Sequence, residues 1–237
     1  MTSKAFLNWS TGKDAAYALY TLQRTKEYNV IRLMTTVNKS FGRVSMHGIR
    51  EDVLRRQAVC LGLPIDIVYL TETLSLQEYE AIITKQLSVY KSEGICNSVY
   101  GDILLEDLKI FREQQLQRLA IQGVFPLWNM NTKLLVEEMV NAGIKAIVVC
   151  VNEQFLDKSF VGRIIDHQFI ADLPEGVDPC GENGEFHTFV FDGPMFQKRV
   201  PFEIGEIGEI VYKTYDAPKQ CNQKEIHHYG FWFLDIL

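Results

Sequence analysis

The sequence contains no apolar run that approaches the roughly eighteen residues needed to cross a membrane, and its N-terminus has no signal-peptide pattern. It also lacks a Cys-x-x-Cys pair: five widely spaced cysteines indicate neither a disulfide framework nor a zinc knuckle. Basic residues are not in excess, because 24 lysines and arginines face 30 aspartates and glutamates, for a net charge of -6. This balance disfavours nonspecific nucleic-acid binding and attachment to an anionic membrane. We therefore expect a cytoplasmic protein that acts on a small molecule.

What the sequence does contain is a regular alternation of apolar, strand-like runs and amphipathic helical patterns. Four helical patterns separate five such runs, which begin at Ala5, Val30, Ile65, Ile95 and Val124. Each helix has to return the chain to the same end of a sheet, so the alternation predicts an α/β fold with a parallel five-stranded sheet and helices on both faces. From Trp128 onward the pattern is mixed. We expect two domains, residues 1–128 and a smaller α+β domain over residues 129–237.

Several boundaries in this pattern are specific enough to compare with a structure. The apolar stripe over Leu104–Leu119 predicts a helix that Gly123 ends, followed by a strand over Val124–Leu127. In the second domain a further helix is expected over Phe160–Ile170. The apolar segment Phe231–Leu234 predicts either the last strand of that domain or a homodimer contact.

A turn directly after the first strand is the first candidate for chemistry. Ser10-Thr-Gly-Lys-Asp14 leads into a helix, whose N-terminus presents N–H groups and the positive end of its dipole to an anion such as phosphate. The turn is not a Walker loop, because that motif needs a glycine where Leu7 stands and a hydroxyl where Asp14 stands. If the first and fourth strands are neighbours, the turn and Gly101-Asp102 face the same crevice.

A second unusual stretch runs from Asp178 to His187 and holds three carboxylates, two glycines, a thiol and an imidazole. Such a stretch can form a metal site, a substrate loop or a solvated turn before a strand. Only Cys180 and His187 are typical soft metal ligands, which makes the metal site the weakest of these readings. The other histidines have no spacing that indicates a shared site, so we expect them to be exposed or to make core hydrogen bonds. They are His47, His167, His227 and His228.

Taken together, these stretches resemble the ATP pyrophosphatase family, whose phosphate loop runs Ser-Gly-Gly-Lys-Asp-Ser, and within it the branch of diphthine-ammonia ligases and their relatives. The matching pieces follow the family's order and span about three quarters of the chain. They are Ser10-Thr-Gly-Lys-Asp-Ala15, Cys60-Leu-Gly-Leu-Pro64, Gly101-Asp-Ile-Leu-Leu-Glu-Asp107, Pro126-Leu-Trp128, Asp178-Pro-Cys-Gly-Glu-Asn-Gly-Glu-Phe-His-Thr188 and Asp192-Gly-Pro194. The Cys-Gly-Glu-Asn-Gly-Glu segment is the most specific of them.

The resemblance implies an adenine-nucleotide α-hydrolase-like (HUP) domain, which cleaves ATP between the α and β phosphates and adenylates a carboxylate that ammonia then attacks. It also implies which residues hold the pyrophosphate end of ATP, namely Ser10, Thr11, Gly12, Lys13 and Asp14. Backbone N–H groups and a lysine suit that task, because they stabilise the negative charge that builds on the leaving pyrophosphate. The candidate catalytic residues are then Lys13, Asp14 and Asp102.

Further roles follow from the same resemblance. Asp14 and Asp102 are candidate oxygen ligands for Mg²⁺. Gly101 would allow close approach of the nucleotide, and the strand end at Thr36 is where adenine would contact the backbone. The loop from the second domain would bind the acyl substrate through Cys180, Gly181, Glu182 and Glu185.

This sequence departs from the family's loop at two positions. Thr11 replaces a glycine. A threonine is tolerated at such a position only where the backbone φ is negative. Ala15 replaces the closing serine and removes a hydroxyl. These departures put the rate of turnover in question more than nucleotide binding.

The resemblance implies an ATP-dependent, AMP-forming amide ligase with ammonia as nitrogen donor and a carboxylate as acyl acceptor. That acceptor is either a metabolite or a protein, such as a diphthine-bearing elongation factor. Thiolation of tRNA by the same loop is a second hypothesis, which the net charge of -6 and the lack of a Cys-x-x-Cys pair weaken. A nucleotide-binding module without catalysis is a third, supported by Thr11 and Ala15.

Overall fold

Two sheets organise the computed structural model, which describes residues 2–45, 47–215 and 226–237. The strands of the first sheet are β1 (Ser3–Asn8), β2 (Tyr28–Asn38), β3 (Arg43–Val44), β4 (Ile65–Leu70), β5 (Asn97–Val99) and β6 (Gln122–Val124). The helices that alternate with them are α1 (Lys13–Thr25), α2 (Glu51–Leu61), α3 (Leu76–Ser92) and α4 (Glu106–Gln117). This alternation confirms the α/β class.

Strand β1 lies at the centre of the first sheet and pairs in parallel with β2 on one side and β5 on the other. β4 adds to β2 and β6 adds to β5, again in parallel, so the five expected parallel strands are confirmed. A sixth strand, β3, is antiparallel and only two residues long, and it pairs with the end of β2 after a polar loop. The chain leaves β1 toward β2 and later returns on the opposite side at β5, so the strand order reverses beside the end of β1.

The residues of β1 explain why helices cover both faces of this sheet. Ala5 and Leu7 pack with α1 and α2, whereas Phe6 points to the other face and packs with α3, and all three are fully buried. The rings of Phe6 and Tyr90 of α3 lie 4.6 Å apart. A strand buried on both faces requires an uninterrupted apolar run, which is what the sequence has here.

The second half of the chain forms a four-stranded antiparallel sheet in the order β8-β7-β10-β9. Its elements are α5 (Thr132–Asn141), β7 (Lys145–Asn152), α6 (His167–Asp172), β8 (Phe186–Asp192), β9 (Ile204–Tyr215) and β10 (Ile226–Ile236). Phe231–Leu234 lies inside β10, so the expectation of a last strand is confirmed. The buried residues of this half join those of α1 and α2 in one continuous hydrophobic core.

Two expected boundaries in the first half are wrong. The helix expected over Leu104–Leu119 is α4, which is shorter at both ends. The chain turns after it at Ala120, whose φ is 50°, so Gly123 does not end the helix but lies inside β6. Because β6 already ends at Val124, the strand expected over Val124–Leu127 is displaced toward the N-terminus.

The single helix expected over Phe160–Ile170 is also wrong. The structure has a short 3-10 turn over Lys158–Phe160 and then the separate helix α6. Gly162 lies between them with a φ of 83°, a left-handed conformation that interrupts a helix. Asp166 then begins α6, because its carboxylate accepts a hydrogen bond from the Phe169 N–H at 2.7 Å.

Cysteine pairing and membrane-length helices are both absent from the residues that the structure describes. The four described cysteines carry free thiols, and Cys221 lies outside the described residues. Across the same described ranges, no helix combines the length and the apolar character that a membrane crossing requires.

Two arginines hold β10 against the first half of the chain. Arg43 Nη1 lies 2.9 Å from Asp235 Oδ1, and Arg50 Nη2 lies 2.6 Å from Asp235 Oδ2. The hydrogen bonds from Arg50, together with those from Arg43, lower the pKa of Asp235 to about 2. Asp235 therefore fixes both ends of the loop between β3 and α2.

We expect Asp235→Asn to lower stability at neutral pH and to have little effect near pH 2. A carboxylate whose folded pKa lies below its ordinary value of 3.8 stabilises the fold above that value, and the contribution is lost as the pH falls through about 2. Urea unfolding of both proteins from pH 6 to pH 2 measures the difference in unfolding free energy. Glu72→Gln, an exposed loop carboxylate, is the control. A difference that persists at pH 2 contradicts the role of the charge.

Candidate functional site

A cavity of about 590 Å³ opens at the carboxyl ends of the parallel strands, where sheets of this class bind ligands. Of the twelve residues to which the resemblance gives a role in the site, nine line it: Ser10, Lys13, Asp14, Thr36, Gly101, Asp102, Cys180, Gly181 and Glu182. Thr11, Gly12 and Glu185 do not line it. The crevice expected between the Ser10–Asp14 turn and Gly101-Asp102 is therefore present, and the Asp178–Glu185 loop, here called the Cys180 loop, covers it.

Lys13 connects the Ser10–Asp14 turn to the Cys180 loop. Its side chain is only 3% exposed, and its Nζ donates to both carboxylate oxygens of Asp14 at 3.0 Å and to the backbone carbonyl of Cys180. Burial lowers the pKa of this ammonium, but the negative charges around it, Asp14 first, more than offset burial and raise the pKa. Lys13 is therefore a permanent buried cation at the floor of the cavity.

The backbone of the turn is packed closely by other parts of the protein. The Lys13 N–H donates to Thr188 Oγ1 of β8 at 3.1 Å, so this amide already has a partner. A Cβ on Gly101 would lie 2.7 Å from the Ala15 nitrogen, and one on Gly12 would lie 2.7 Å from His47 Cε1. Both glycines thus allow protein segments to approach the start of α1, whereas the sequence suggested that Gly101 makes room for a nucleotide.

Thr11 has a positive φ of 76°, contrary to the negative value that a threonine tolerates. A β-branched residue in this region costs about 1–3 kcal/mol, because its Cβ crowds the backbone. The Thr11 side chain is also fully buried, and its hydroxyl has no hydrogen-bond partner among the described residues. Thr11 therefore destabilises the fold in two independent ways: its backbone is strained, and its buried hydroxyl is unpaired among the described residues.

We expect Thr11→Gly to raise the melting temperature by roughly 2–4 °C. Relief of the backbone strain and of the unpaired hydroxyl together returns about 2–3 kcal/mol, while glycine's chain entropy and the lost methyl group remove roughly 1–2 kcal/mol, which leaves a net gain of about 1 kcal/mol. Differential scanning calorimetry gives the shift. Thr21→Gly in α1 is the matched control and should be destabilising, because a glycine weakens a regular helix. A lower melting temperature for Thr11→Gly contradicts the strain.

Gln57 of α2 supports the same turn and was missed in the sequence. Its side chain is fully buried, and its Oε1 accepts from Trp9 Nε1 at 2.5 Å. Its Nε2 donates to the carbonyls of Thr11 at 3.1 Å and of Val190 at 2.6 Å. One amide thus binds the end of β1, the turn and β8. The sequence does contain a signal for its burial: Gln57 is a polar residue on the apolar stripe of α2, four positions after Val53.

Carboxylates crowd the cavity around Lys13. Burial, reinforced by the charge of Asp14, raises the pKa of Glu182 to about 7. Burial also raises the pKa of Asp102, although Arg112 opposes the shift. Asp102 Oδ2 lies 3.2 Å from Arg112 Nε without hydrogen-bond geometry, so this buried oxygen lacks a hydrogen-bond partner among the residues that the structure describes. Lys13 Nζ is the cation that the structure places among these carboxylates.

Glu185 organises the Cys180 loop from beneath. Its fully buried carboxylate accepts hydrogen bonds from the backbone N–H groups of Asp178 at 2.9 Å and Asn183 at 2.8 Å. The Cys180 thiol is buried too; it donates to the Thr132 carbonyl, and burial raises its pKa, which keeps it protonated. The loop therefore presents Gly181 and Glu182 to the cavity, while the substrate-binding role predicted for Glu185 stays a prediction.

The far end of the cavity is apolar and contains two polar groups that the sequence did not reveal. Its apolar lining includes Met34, Leu70, Tyr79, Ile83, Leu108 and Phe111. The guanidinium of Arg112 lies 4.2 Å from the ring centroid of Tyr100. Gln115 is 7% exposed, and its Nε2 has no partner in the described part of the chain. Both residues fall on the inner stripe of α4, four and seven positions after Leu108.

Two histidines meet at the edge of the cavity nearest Lys13. The rings of His47 and His187 lie 4.8 Å apart, and His47 Nδ1 lies 3.1 Å from the Thr188 carbonyl oxygen. Burial lowers the pKa of His47 to about 4 and that of His187 to about 3, so both rings are neutral at neutral pH. The hydrogen bond expected as one alternative for His47 is present. Its proximity to His187 was not indicated by any spacing, and it arises because β8 and the loop after β3 converge there.

Comparison with known proteins gives the same family for both halves. A family model described as the diphthamide synthase N-terminal domain matches residues 3–122, and one described as the diphthamide synthase C-terminal domain matches residues 131–220. Proteins named diphthine–ammonia ligase from Bos taurus and Homo sapiens are each 33% identical over 134 residues, covering 54% of this chain and 49% of theirs. One from Schizosaccharomyces pombe is 29% identical over 109 residues, which is 42% of this chain and 18% of its own. The chain thus spans about half the length of the mammalian relatives it matches.

Proposed function

We propose that this chain, which belongs to the diphthamide synthase family, is an ATP-dependent, AMP-forming ligase that joins ammonia to the carboxylate of diphthine. The observation that carries the proposal is the contact of Lys13 with both the Ser10–Asp14 turn and the Cys180 loop in one cavity. In an adenylating enzyme the phosphate-binding site and the acyl-binding site must be adjacent, because the carboxylate attacks the α-phosphorus directly.

In the first step the substrate carboxylate attacks the α-phosphorus of ATP, and pyrophosphate leaves. The buried ammonium of Lys13 stabilises the negative charge that builds on the leaving group, and it does so strongly because water is excluded around it. The apolar end of the cavity, next to Thr36, suits adenine, and Gln115 Nε2 offers it an unpaired donor. In the second step ammonia attacks the acyl carbon and displaces AMP.

The carboxylates of Asp14 and Asp102 fit a magnesium ion. Both line the cavity, Asp102 Oδ2 is buried without a hydrogen-bond partner in the described ranges, and carboxylate oxygens are the ligands that Mg²⁺ prefers. When bound, Mg²⁺ would neutralise charge on the β and γ phosphates. Asp14 would hold it from the first turn of α1 and Asp102 from the segment after β5, and Lys13 would keep Asp14 oriented.

The proposal is tested by incubating the protein with ATP, ammonium chloride and a diphthine-bearing protein. We expect AMP, pyrophosphate and a protein product lighter by the mass difference between a carboxylic acid and its amide. Formation of ADP and phosphate instead, or of no nucleotide product, contradicts it. Tight ATP binding without consumption, measured by calorimetry, favours a noncatalytic module, and thiolation is favoured if tRNA is shifted in a gel.

We expect Asp102→Asn to raise the Mg²⁺ concentration needed for half-maximal pyrophosphate release by roughly tenfold, since one charged ligand becomes neutral. Titration of MgCl₂ at saturating ATP measures this. Asp107→Asn, an exposed carboxylate on the same segment, is the control and should leave the titration unchanged. An unchanged metal requirement in Asp102→Asn removes Asp102 from the metal site.

Three further parts of the proposal concern organisation. We divide the chain into an ATP-binding domain, residues 1–128, and a substrate-binding domain, residues 129–237, and we assign it to the cytoplasm. Limited proteolysis tests the boundary, and fractionation tests the location. A homodimer stays a prediction, which light scattering of the purified protein can decide.

A further inference from the structure

Two partly buried imidazole rings have no role in the phosphate chemistry described above. His47 lies on the loop between β3 and α2, and His187 lies in β8, yet both line the cavity beside Lys13. Their ring centroids are 4.8 Å apart, and the planes are tilted by 38°. The loop that carries His47 is held from both ends by Arg43 and Arg50, so its position is fixed.

The hydrogen bond of His47 determines which of its nitrogens carries the proton. Its Nδ1 lies 3.1 Å from the backbone carbonyl oxygen of Thr188, which can only accept. Nδ1 must therefore be the donor, and in the neutral ring Nε2 is left with a bare lone pair. Within the described residues, no side chain or backbone group donates to this nitrogen.

The bare lone pair of His47 Nε2 is a hydrogen-bond acceptor, so its ligand must be a donor. Phosphate and carboxylate oxygens are acceptors and are repelled by it, so it does not serve ATP's phosphates. Its nearest cation, the Lys13 ammonium, already donates to Asp14 and to the Cys180 carbonyl. No cluster of three metal-ligating side chains occurs in the described ranges. A small molecule that donates an N–H fits this lone pair, and the ammonia of the proposed ligation is such a molecule.

We propose that His47 Nε2 binds the ammonia that enters the ligation, with the ring of His187 closing the other side of this nitrogen site. The inference rests on the proposed function and adds the residues that hold the nucleophile. The carboxylates of Asp14 in the turn and of Glu185 in the Cys180 loop are charged and already bonded, so they are not equivalent to this uncharged acceptor.

The bonds and protons of this step balance. Ammonia donates one N–H to His47 Nε2 and keeps its lone pair, which forms the C–N bond to the acyl carbon. The C–O bond to AMP breaks, and AMP leaves with its electron pair. The nitrogen that came from ammonia then loses one proton to His47 Nε2, and this proton passes from the ring to water. Burial and the nearby Lys13 charge disfavour the imidazolium, which returns the ring to its acceptor form.

His47→Asn is the sharpest variant for this inference. The asparagine amide can replace Nδ1 as donor to the Thr188 carbonyl, but it offers nothing at the position of Nε2. We expect the KM for ammonium chloride at pH 8.5 to rise about tenfold, which is the loss of roughly one hydrogen bond. The KM for ATP and the diphthine-dependent exchange of pyrophosphate into ATP should stay within twofold, since neither needs ammonia. His167→Asn, exposed on α6, is the matched control.

The outcomes separate this inference from the proposed function. An unmodified protein without diphthine-dependent exchange refutes the ligase, and the nitrogen site with it. Normal exchange combined with an unchanged KM for ammonium chloride in His47→Asn overturns the nitrogen site alone. Equal losses of pyrophosphate exchange and of amide formation in His47→Asn also overturn the nitrogen site, because exchange does not need ammonia. If the variant misfolds, nitrogen-15 NMR of the unmodified protein decides: a bare Nε2 that shifts with ammonium chloride supports the site, and a protonated Nε2 overturns it.

Discussion

Lys13→Ala is expected to abolish pyrophosphate release from ATP, with a loss of at least about 100-fold in turnover. The ammonium of Lys13 is the buried cation at the floor of the cavity, and it is 3% exposed. A cation excluded from water stabilises a developing phosphate charge far more than an exposed one does. Its removal also leaves the charge of Asp14 unpaired beside the leaving group, which adds repulsion to the loss of attraction.

Release of pyrophosphate in a coupled assay measures this effect. Lys13→Met, which keeps the length of the side chain, distinguishes the loss of charge from the loss of volume, and both variants should lose activity equally. Lys39→Ala, on the exposed loop after β2, should retain full turnover. Circular dichroism and the melting temperature establish that each variant is folded. Turnover near that of the unmodified protein in folded Lys13→Ala removes Lys13 from the reaction.

Gln57→Leu is expected to lower the unfolding free energy by about 3 kcal/mol and the melting temperature by roughly 6–12 °C. Leucine fits the volume but offers no polar atom. The indole N–H of Trp9 and the carbonyl of Val190 then stay buried without their partner, and each such group costs about 1–3 kcal/mol. The carbonyl of Thr11 loses one bond but keeps the N–H of Val190 at 2.9 Å.

Chemical unfolding of Gln57→Leu and of Gln77→Leu tests this prediction. Gln77 is exposed on α3, so its replacement should change the unfolding free energy by less than about 0.5 kcal/mol. Gln57→Glu gives a further comparison, because it keeps an acceptor for Trp9 but loses the donors to Thr11 and Val190. A Gln57→Leu protein as stable as the unmodified one means that these groups find other partners.

The parallel sheet could be predicted from the sequence because its signals are local. Each strand is a short apolar run, as in Ala5–Leu7, and the helices between them have apolar stripes with a period of 3.6 residues. The position of the crevice also followed, since the strand order of such sheets restricts where ligands bind. The end of α4 was misplaced because Ala120, a non-glycine residue, adopts a left-handed conformation that its residue type does not indicate.

The rest of the candidate site could not be predicted because it depends on contacts between distant segments. His47 and His187 have no common pattern, and only the convergence of β8 with the loop after β3 brings them together. Thr188 matched the family's motif, but nothing in the sequence indicated that its hydroxyl accepts from the Lys13 N–H. Thr11 was recognised as a departure, yet its positive φ depends on the backbone around it.

Strand β8 has a consequence for how such proteins can recombine. It supplies Thr188 Oγ1 to the Lys13 N–H, the N–H of Val190 to the Thr11 carbonyl, and the carbonyl of Val190 to Gln57. The first half of the chain is therefore completed by a strand that the second half encodes. A chimera that exchanges the second half must carry β8 over unchanged, so new specificities in this lineage should arise by variation of loops and not by shuffling of whole domains.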